Sequence, residues 1–237
     1  MISIDVYIIL FLLGYFGGFR YLADIFNKYM PDIQRYEWLN GEVIVEIFLF
    51  IITICVYSRL LKKGIKEYKK IDINEISTIF LVISILGMMI TYIFGVEEKS
   101  ALDLNVNNNF KIHYLIAPLI YAPVIEELFC RNGIMRVFEE QFRMTKISAI
   151  ILSSLVFSLL HVIKQNDAAL NIITANFLIY LVSGFGCGYV YKNTDNIFSS
   201  IILHILWNFS IIAGGIVRMA FLNYGADYYW LRLSNRK

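Results

Sequence analysis

ISTIFLVISILGMMITYIFG, residues 76–95, carries no charged side chain over twenty positions. As a helix rising about 1.5 Å per residue it reaches roughly 30 Å, the thickness of a bilayer's hydrocarbon core. Residues 168–191 and 196–217 read the same way, since neither contains a lysine, an arginine or an acid. The 237-residue chain is 58% hydrophobic and 17% charged, too little polar surface for a soluble domain of this length. Lipid offers backbone N–H and C=O groups no partner, so only helices or closed barrels span it. These runs are too long and too evenly apolar for barrel strands. The expected fold class is all-α, a polytopic transmembrane helical bundle of about seven helices, filling residues 1–237 as one membrane-embedded domain.

The remaining spans follow from the same reading. A first helix is expected near residues 6–26, retained rather than cleaved as a signal peptide, because no basic leader precedes it. Residues 27–41, with Pro31 and several charges, are expected as a loop. A second helix is expected at 42–57, with Glu46 inside it. The third is 76–95, followed by a polar connection over 96–110. The fourth begins near Lys111 and reaches Ile125, with Pro118 and Pro123 marking a kink over a cavity. Residues 135–146 are expected as an interfacial helix or turn. The fifth, sixth and seventh spans are 147–163, 168–191 and 197–217. The aromatic and basic tail, DYYWLRLSNRK, suits an interface anchor.

Net charge is +2, which decides little, but its distribution is informative. RLLKKGIKEYKK, residues 59–70, holds six basic residues and one acid and reads as a cytoplasmic loop that meets anionic headgroups. That accounts for the patch without nucleic acid as a partner. Three cysteines without paired spacing support neither a disulfide framework nor a thiolate zinc site. The positive-inside rule also places residues 131–146 inside, but seven full crossings would then put the basic tail outside. Either one segment falls short of a crossing or the tail breaks the rule.

Within this apolar chain the ionisable residues stand out. An intramembrane carboxylate or histidine is costly and marks a functional candidate. YAPVIEELFCR, residues 121–131, places Glu127 and Arg131 four apart on one helical face, so the arginine can hold that carboxylate. Glu126 then points about 100° away. FSLLH, 157–161, and HILWN, 204–208, put Phe157 with His161 and His204 with Asn208 on shared faces. A histidine in a bundle can serve packing alone, but two histidines and a diglutamate on three apolar segments each need separate stabilisation. Two imidazoles and a carboxylate match the donor inventory for zinc with an open water position. They equally suit a metal-independent site in which glutamate activates water and His204 and Asn208 stabilise the oxyanion. HExxH is absent, and no nucleophile elbow surrounds Ser153, Ser154 or Ser158. GFGCG, 184–188, lies inside an apolar helix and reads as close helix packing rather than a phosphate loop.

The three motifs together resemble the membrane-embedded CAAX-processing and bacteriocin-processing protease family, also called CPBP or Abi. Its pattern is EExxxR, FxxxH and HxxxN on successive membrane helices, found here as EELFCR, FSLLH and HILWN. The likeness covers about residues 112–212. It implies an intramembrane endopeptidase in which Glu126 activates water, Glu127 and Arg131 support it, His161 and His204 are the paired histidines, and Asn208 completes the site. It leaves open whether zinc is held by His161, His204 and Glu126 or no metal is used. Where the family often reads Phe-Arg-Gly, this chain has Cys130, Arg131, Asn132 and Gly133. The implied substrate is a membrane-associated peptide or lipidated protein, in CAAX-type processing, bacteriocin maturation or self-immunity. The Ile-, Asn- and Lys-rich composition favours a bacterial plasma membrane. The alternatives are a catalytically inactive scaffold or immunity protein of the same fold and, further off, a proton-coupled transporter.

Overall fold

The computed structural model describes residues 41–96, 113–163 and 168–214, together with 22, 24, 25, 28, 29 and 165. The expected first helix and the 27–41 loop lie almost wholly outside the described residues, as do most of the 96–110 connection, the end of the seventh span and the C-terminal tail.

Among the described residues every regular element is helical. Helix α1 is Gly41–Val56 and α2 is Ser58–Lys66, bent 68° from α1 at Tyr57. A short 3₁₀ turn, Tyr68–Lys70, leads to α3, Ile73–Ile93. Helix α4 runs over residues 113–140, α5 is Lys146–Val162, α6 is Leu170–Thr194, and α7 is Ile197–Gly214. Helices α3, α6 and α7 are each long and apolar enough to cross a membrane, and the bent α1–α2 pair would make a fourth span. The expected count of seven spans is therefore not reached among the described residues. Of the other three, the expected first span lies outside the described residues, α5 is a shorter apolar helix, and α4 is interrupted in its geometry.

Local sequence explains the boundaries. Asp72 caps α3 by accepting from the N–H groups of Asn74 and Glu75, at 2.9 and 3.1 Å. The same helix ends at Gly95, whose φ of +57° is the left-handed conformation that lets the chain turn off a helix. Thr145 caps α5 through its hydroxyl, which accepts from Ser148 N–H. The 59–70 stretch is not the open loop expected from its charges. Leu61 and Gly64 give it a buried side, and that tertiary contact makes most of it a helix. Residues 135–140 simply continue α4 before the turn into α5.

Packing follows the glycines. Helices in lipid gain nothing from hiding apolar surface from one another, so close approach of backbones matters more. Helix α6 packs against both α5 and α3. A Cβ on Gly184 would lie 3.2 Å from Phe157 Cδ1 of α5, and one on Gly186 would lie 2.9 Å from Ile83 Cγ2 of α3. The GFGCG run thus faces two neighbours at once, as its reading as a packing element anticipates. Trp207 of α7 rests on Gly87 of α3 in the same way. Outward, Leu81, Ile85, Met88, Tyr92 and Ile93 leave α3 exposed and apolar, the surface a lipid-facing helix presents.

One end of the bundle collects the basic residues. There α2 meets the α6–α7 junction through Lys63 to Asp195, 2.9 Å, and through Asn196 Nδ2, which donates to Gly64 O and Glu67 O at 3.0 Å each. Lys192 near the end of α6 pairs with Glu139 of α4. At the opposite end Asn171 Nδ2 donates to Phe94 O, tying the start of α6 to the exit of α3.

Candidate active site

Helix α4 carries both glutamates and is not a uniform α-helix. Ala117–Tyr121 and Leu128–Ile134 widen to i→i+5 hydrogen bonding, an uncommon form that recurs at functional sites. The prolines explain the first of these. Ala122 N–H donates to Ala117 O in the widened register. The next donor in that register would be Pro123, which has no N–H. Pro118 O is left to an outside partner, and Asn208 Nδ2 of α7 donates to it at 2.7 Å. The kink expected at the two prolines is thus a widened turn sealed by a side chain from another helix.

The adjacent glutamates have opposite environments. Glu127 is 0% exposed. Arg131 Nε donates to its Oε2 at 2.7 Å and Nη2 to its Oε1 at 3.3 Å. Ser200 Oγ also donates to Oε2, and His204 Nδ1 lies 2.9 Å from Oε1. With both oxygens taken by α4 and α7, Glu127 is an organising group. Glu126 points elsewhere, and its side chain is 26% exposed. Its Oε2 lies 3.7 Å from His161 Nε2 and 3.7 Å from His204 Nε2.

Hydrogen bonding decides which histidine nitrogen faces Glu126. His161 Nδ1 lies 2.9 Å from Phe157 O, a carbonyl that only accepts, so Nδ1 carries the hydrogen. His204 Nδ1 faces the Glu127 carboxylate and donates for the same reason. In the neutral form both rings therefore turn an Nε2 lone pair toward Glu126. Ring packing holds them there. The His161 ring packs against both Phe157 and Tyr180, with centroids 4.3 and 4.2 Å away, and Phe157 makes an edge contact with His204 at 5.8 Å.

Of the six site residues expected from sequence, Glu126, His161 and His204 converge on one point, while Glu127 and Arg131 stand behind His204. Asn208 has its amide on the backbone of α4, which departs from an expected place at the oxyanion. Sequence reading passed over Ser200 and Tyr180. Ser200 lies four residues before His204, a spacing that could have flagged it, but nothing local marks Tyr180. Gly188 is also part of the assembly, because a Cβ there would come within 3.3 Å of Arg131 Nη1.

Two donor sets could be considered for a metal. Ligand atoms of Glu127, Cys187 and His204 lie within 4.8 Å of one another. That set is unsuited, since Glu127 is paired with Arg131 and its histidine nitrogen nearest Glu127 carries a hydrogen. Glu126 Oε2 with the Nε2 atoms of His161 and His204 fits better by donor chemistry. Glu126 Oε2 faces both Nε2 lone pairs, and each imidazole is oriented by an acceptor at Nδ1, the usual support behind metal-bound histidine.

Residues 108–210 match the family model of the type II CAAX prenyl endopeptidase Rce1-like proteins. This stretch contains all three motifs. The match supports the CAAX-processing protease family over that part of the chain, and with it a membrane protease of the CAAX type in general. No curated protein and no solved structure matches the chain.

Proposed function

We propose that this protein is an endopeptidase of a bacterial plasma membrane that hydrolyses a peptide bond in a membrane-associated peptide or lipidated protein, in peptide maturation or self-immunity. The observation that carries the reading is the equal 3.7 Å approach of Glu126 Oε2 to two imidazole Nε2 atoms. A water between these groups meets three acceptors. It gives one hydrogen to Glu126 and the other to an imidazole, which leaves an oxygen lone pair for the scissile carbonyl carbon.

Glu126 then acts as general base, takes the proton as the C–O bond forms, and returns it to the amine as the C–N bond breaks. Glu127, held by Arg131 and Ser200, keeps His204 in the tautomer with its Nε2 bare. Phe157 O does the same for His161. Zinc or a similar ion fits Glu126, His161 and His204, and when bound it would acidify the water and polarise the carbonyl.

The test is cleavage of a membrane peptide co-reconstituted with the purified protein. Glu126→Gln should lower turnover by about 10²–10⁴-fold, the usual contribution of a general base. Turnover equal to wild type would overturn the mechanism.

A further inference from the structure

The basic stretch that joins two apolar helices divides its cations into two sets. Lys63 pairs with Asp195 at 2.9 Å, and Lys70 with Glu67 at 2.9 Å and Asp195 at 3.6 Å. Arg59, Lys62, Lys66 and Lys69 are exposed and make no ion pair or side-chain hydrogen bond among the described residues. Their spacing of three, four and three residues lines them up on one stripe of α2 and the turn after it. Leu61 and Gly64 are buried on a side of the helix roughly opposite, against the bundle. Ile65, 63% exposed, lies one residue before Lys66 at the edge of the stripe.

We infer that this stripe is a binding surface for the phosphate headgroups of anionic phospholipids beside the bundle. Three features select that occupant. The segment connects α1 and α3, both apolar, so it lies at the membrane surface rather than in bulk solvent. Among the described residues the four cations have no protein counter-charge, and a negatively charged leaflet supplies one. Exposed Ile65 places apolar surface next to the cations, the pairing that lets an interfacial helix sit at the headgroup–acyl boundary. The helix is also fixed before any lipid arrives. Asn196 donates to Gly64 O and Glu67 O near its end, and a Cβ on Gly64 would meet Phe198 Cδ2 at 2.8 Å. The stripe is therefore presented in a set orientation, and it lies at the end of the bundle that the positive-inside rule assigns to the cytoplasm.

The experiment measures lipid retention and is independent of the peptidase reading. The purified full chain in neutral detergent is titrated with phosphatidylglycerol and separately with phosphatidylcholine, and bound lipid is counted by native mass spectrometry. Each cation near an anionic surface strengthens association by roughly fivefold. Wild type should therefore favour phosphatidylglycerol by about tenfold or more, and the preference should fall in about 1 M salt, where the screening length is near 3 Å. The R59Q/K62Q/K66Q/K69Q variant should lose it, while K63Q, whose charge faces Asp195, should keep most of it. All four sites are exposed, and an unchanged thermal transition confirms the variant's fold. Equal retention of the two lipids by wild type, or a preference that survives the fourfold substitution, would overturn the inference. Displacement of the lipid by inorganic phosphate at matched concentration would overturn it as well, assigning the stripe to a free anion.

Discussion

Asn208 of α7 donates through Nδ2 to the carbonyl oxygen of Pro118 in α4, at 2.7 Å, across the pair of helices that carry Glu126 and His204. The bond fills a gap that Pro123 leaves in the widened turn, so it couples the path of α4 to the helix bearing His204. Asn208→Ala should destabilise the protein by about 1 kcal/mol, the cost of losing the donor to a partly buried carbonyl. It should also lower kcat more than it raises KM, because Glu126 lies on the same helix as the released carbonyl. Thermal unfolding in detergent and steady-state cleavage would check both. A variant of wild-type stability would show that the bond does not hold α4.

The Glu127–Arg131 pair predicts a larger effect. Both side chains are fully buried, so removing one partner strands the other's charge. Arg131→Met should cost about 3–5 kcal/mol. Ser200→Ala should cost less, about 1–2 kcal/mol, since Arg131 Nε still satisfies Oε2. Its activity should fall but persist, because the contact of His204 is with the other oxygen, Oε1. Denaturation of the two variants side by side gives the ranking, and the reverse order would contradict the arrangement.

Metal content separates the two donor sets. If the ion is held as proposed, Glu126→Gln, His161→Ala and His204→Ala should each strip it from purified protein, and Cys187→Ala should leave it in place. Elemental analysis reads this directly. Loss of metal with Cys187→Ala and retention with His161→Ala would assign the ion to the buried Glu127, Cys187 and His204 set instead. Zinc that leaves under chelation together with activity, and restores it on return, would complete the case for a metalloenzyme. Full activity without metal would leave the glutamate-dependent water attack.

Two glycines of α6 should behave differently on substitution by alanine. Gly186→Ala presses on Ile83 at 2.9 Å and should cost about 1–3 kcal/mol through overpacking, with the cleavage kinetics of folded protein intact. Gly188→Ala presses on Arg131 Nη1 at 3.3 Å and on Ile150 at 3.1 Å. Displacing that guanidinium disturbs Glu127 and then His204, so kcat should fall as well. Unfolding and turnover measured on both would show whether only Gly188 is linked to the site.

At the basic end, the hydrogen bond from Lys63 and the nearby charges of Lys63 and Lys70 hold the Asp195 carboxyl below its ordinary range, against a smaller effect of burial. A carboxyl lowered in the folded state stabilises above its unfolded pKa of about 3.9, and loses that contribution as pH falls through the folded value. The pair is largely exposed, so the effect is at most about 1 kcal/mol. Asp195→Asn should be slightly less stable than wild type at neutral pH, and the difference should close on acidification below about pH 4. A gap that widens in acid would reverse the sign.

Much of this was legible in the chain itself. Uncharged runs at 76–95, 168–191 and 196–217 dictate helices in lipid, because an unpaired backbone has no other refuge there. Four-residue spacing dictates that Glu127 meets Arg131, since helix geometry alone brings those positions together. Gly184, Gly186 and Gly188 announce close packing by having no side chain. Spacing within one helix carries no information about a neighbour, however, and the decisive contacts are between helices. Whether Glu126 or Glu127 is the reachable carboxylate depends on α7 delivering Ser200 and His204 to Glu127. Which imidazole nitrogen is bare depends on Phe157 O and on that same carboxylate. Tyr180 joins the site only because α6 lies along α5, and Asn208 reaches Pro118 only because α7 crosses α4 at the gap Pro123 leaves. The basic stretch became a helix for the same reason: its charges suggested a loop, but α7 and its preceding turn offered Leu61 and Gly64 a surface to bury against.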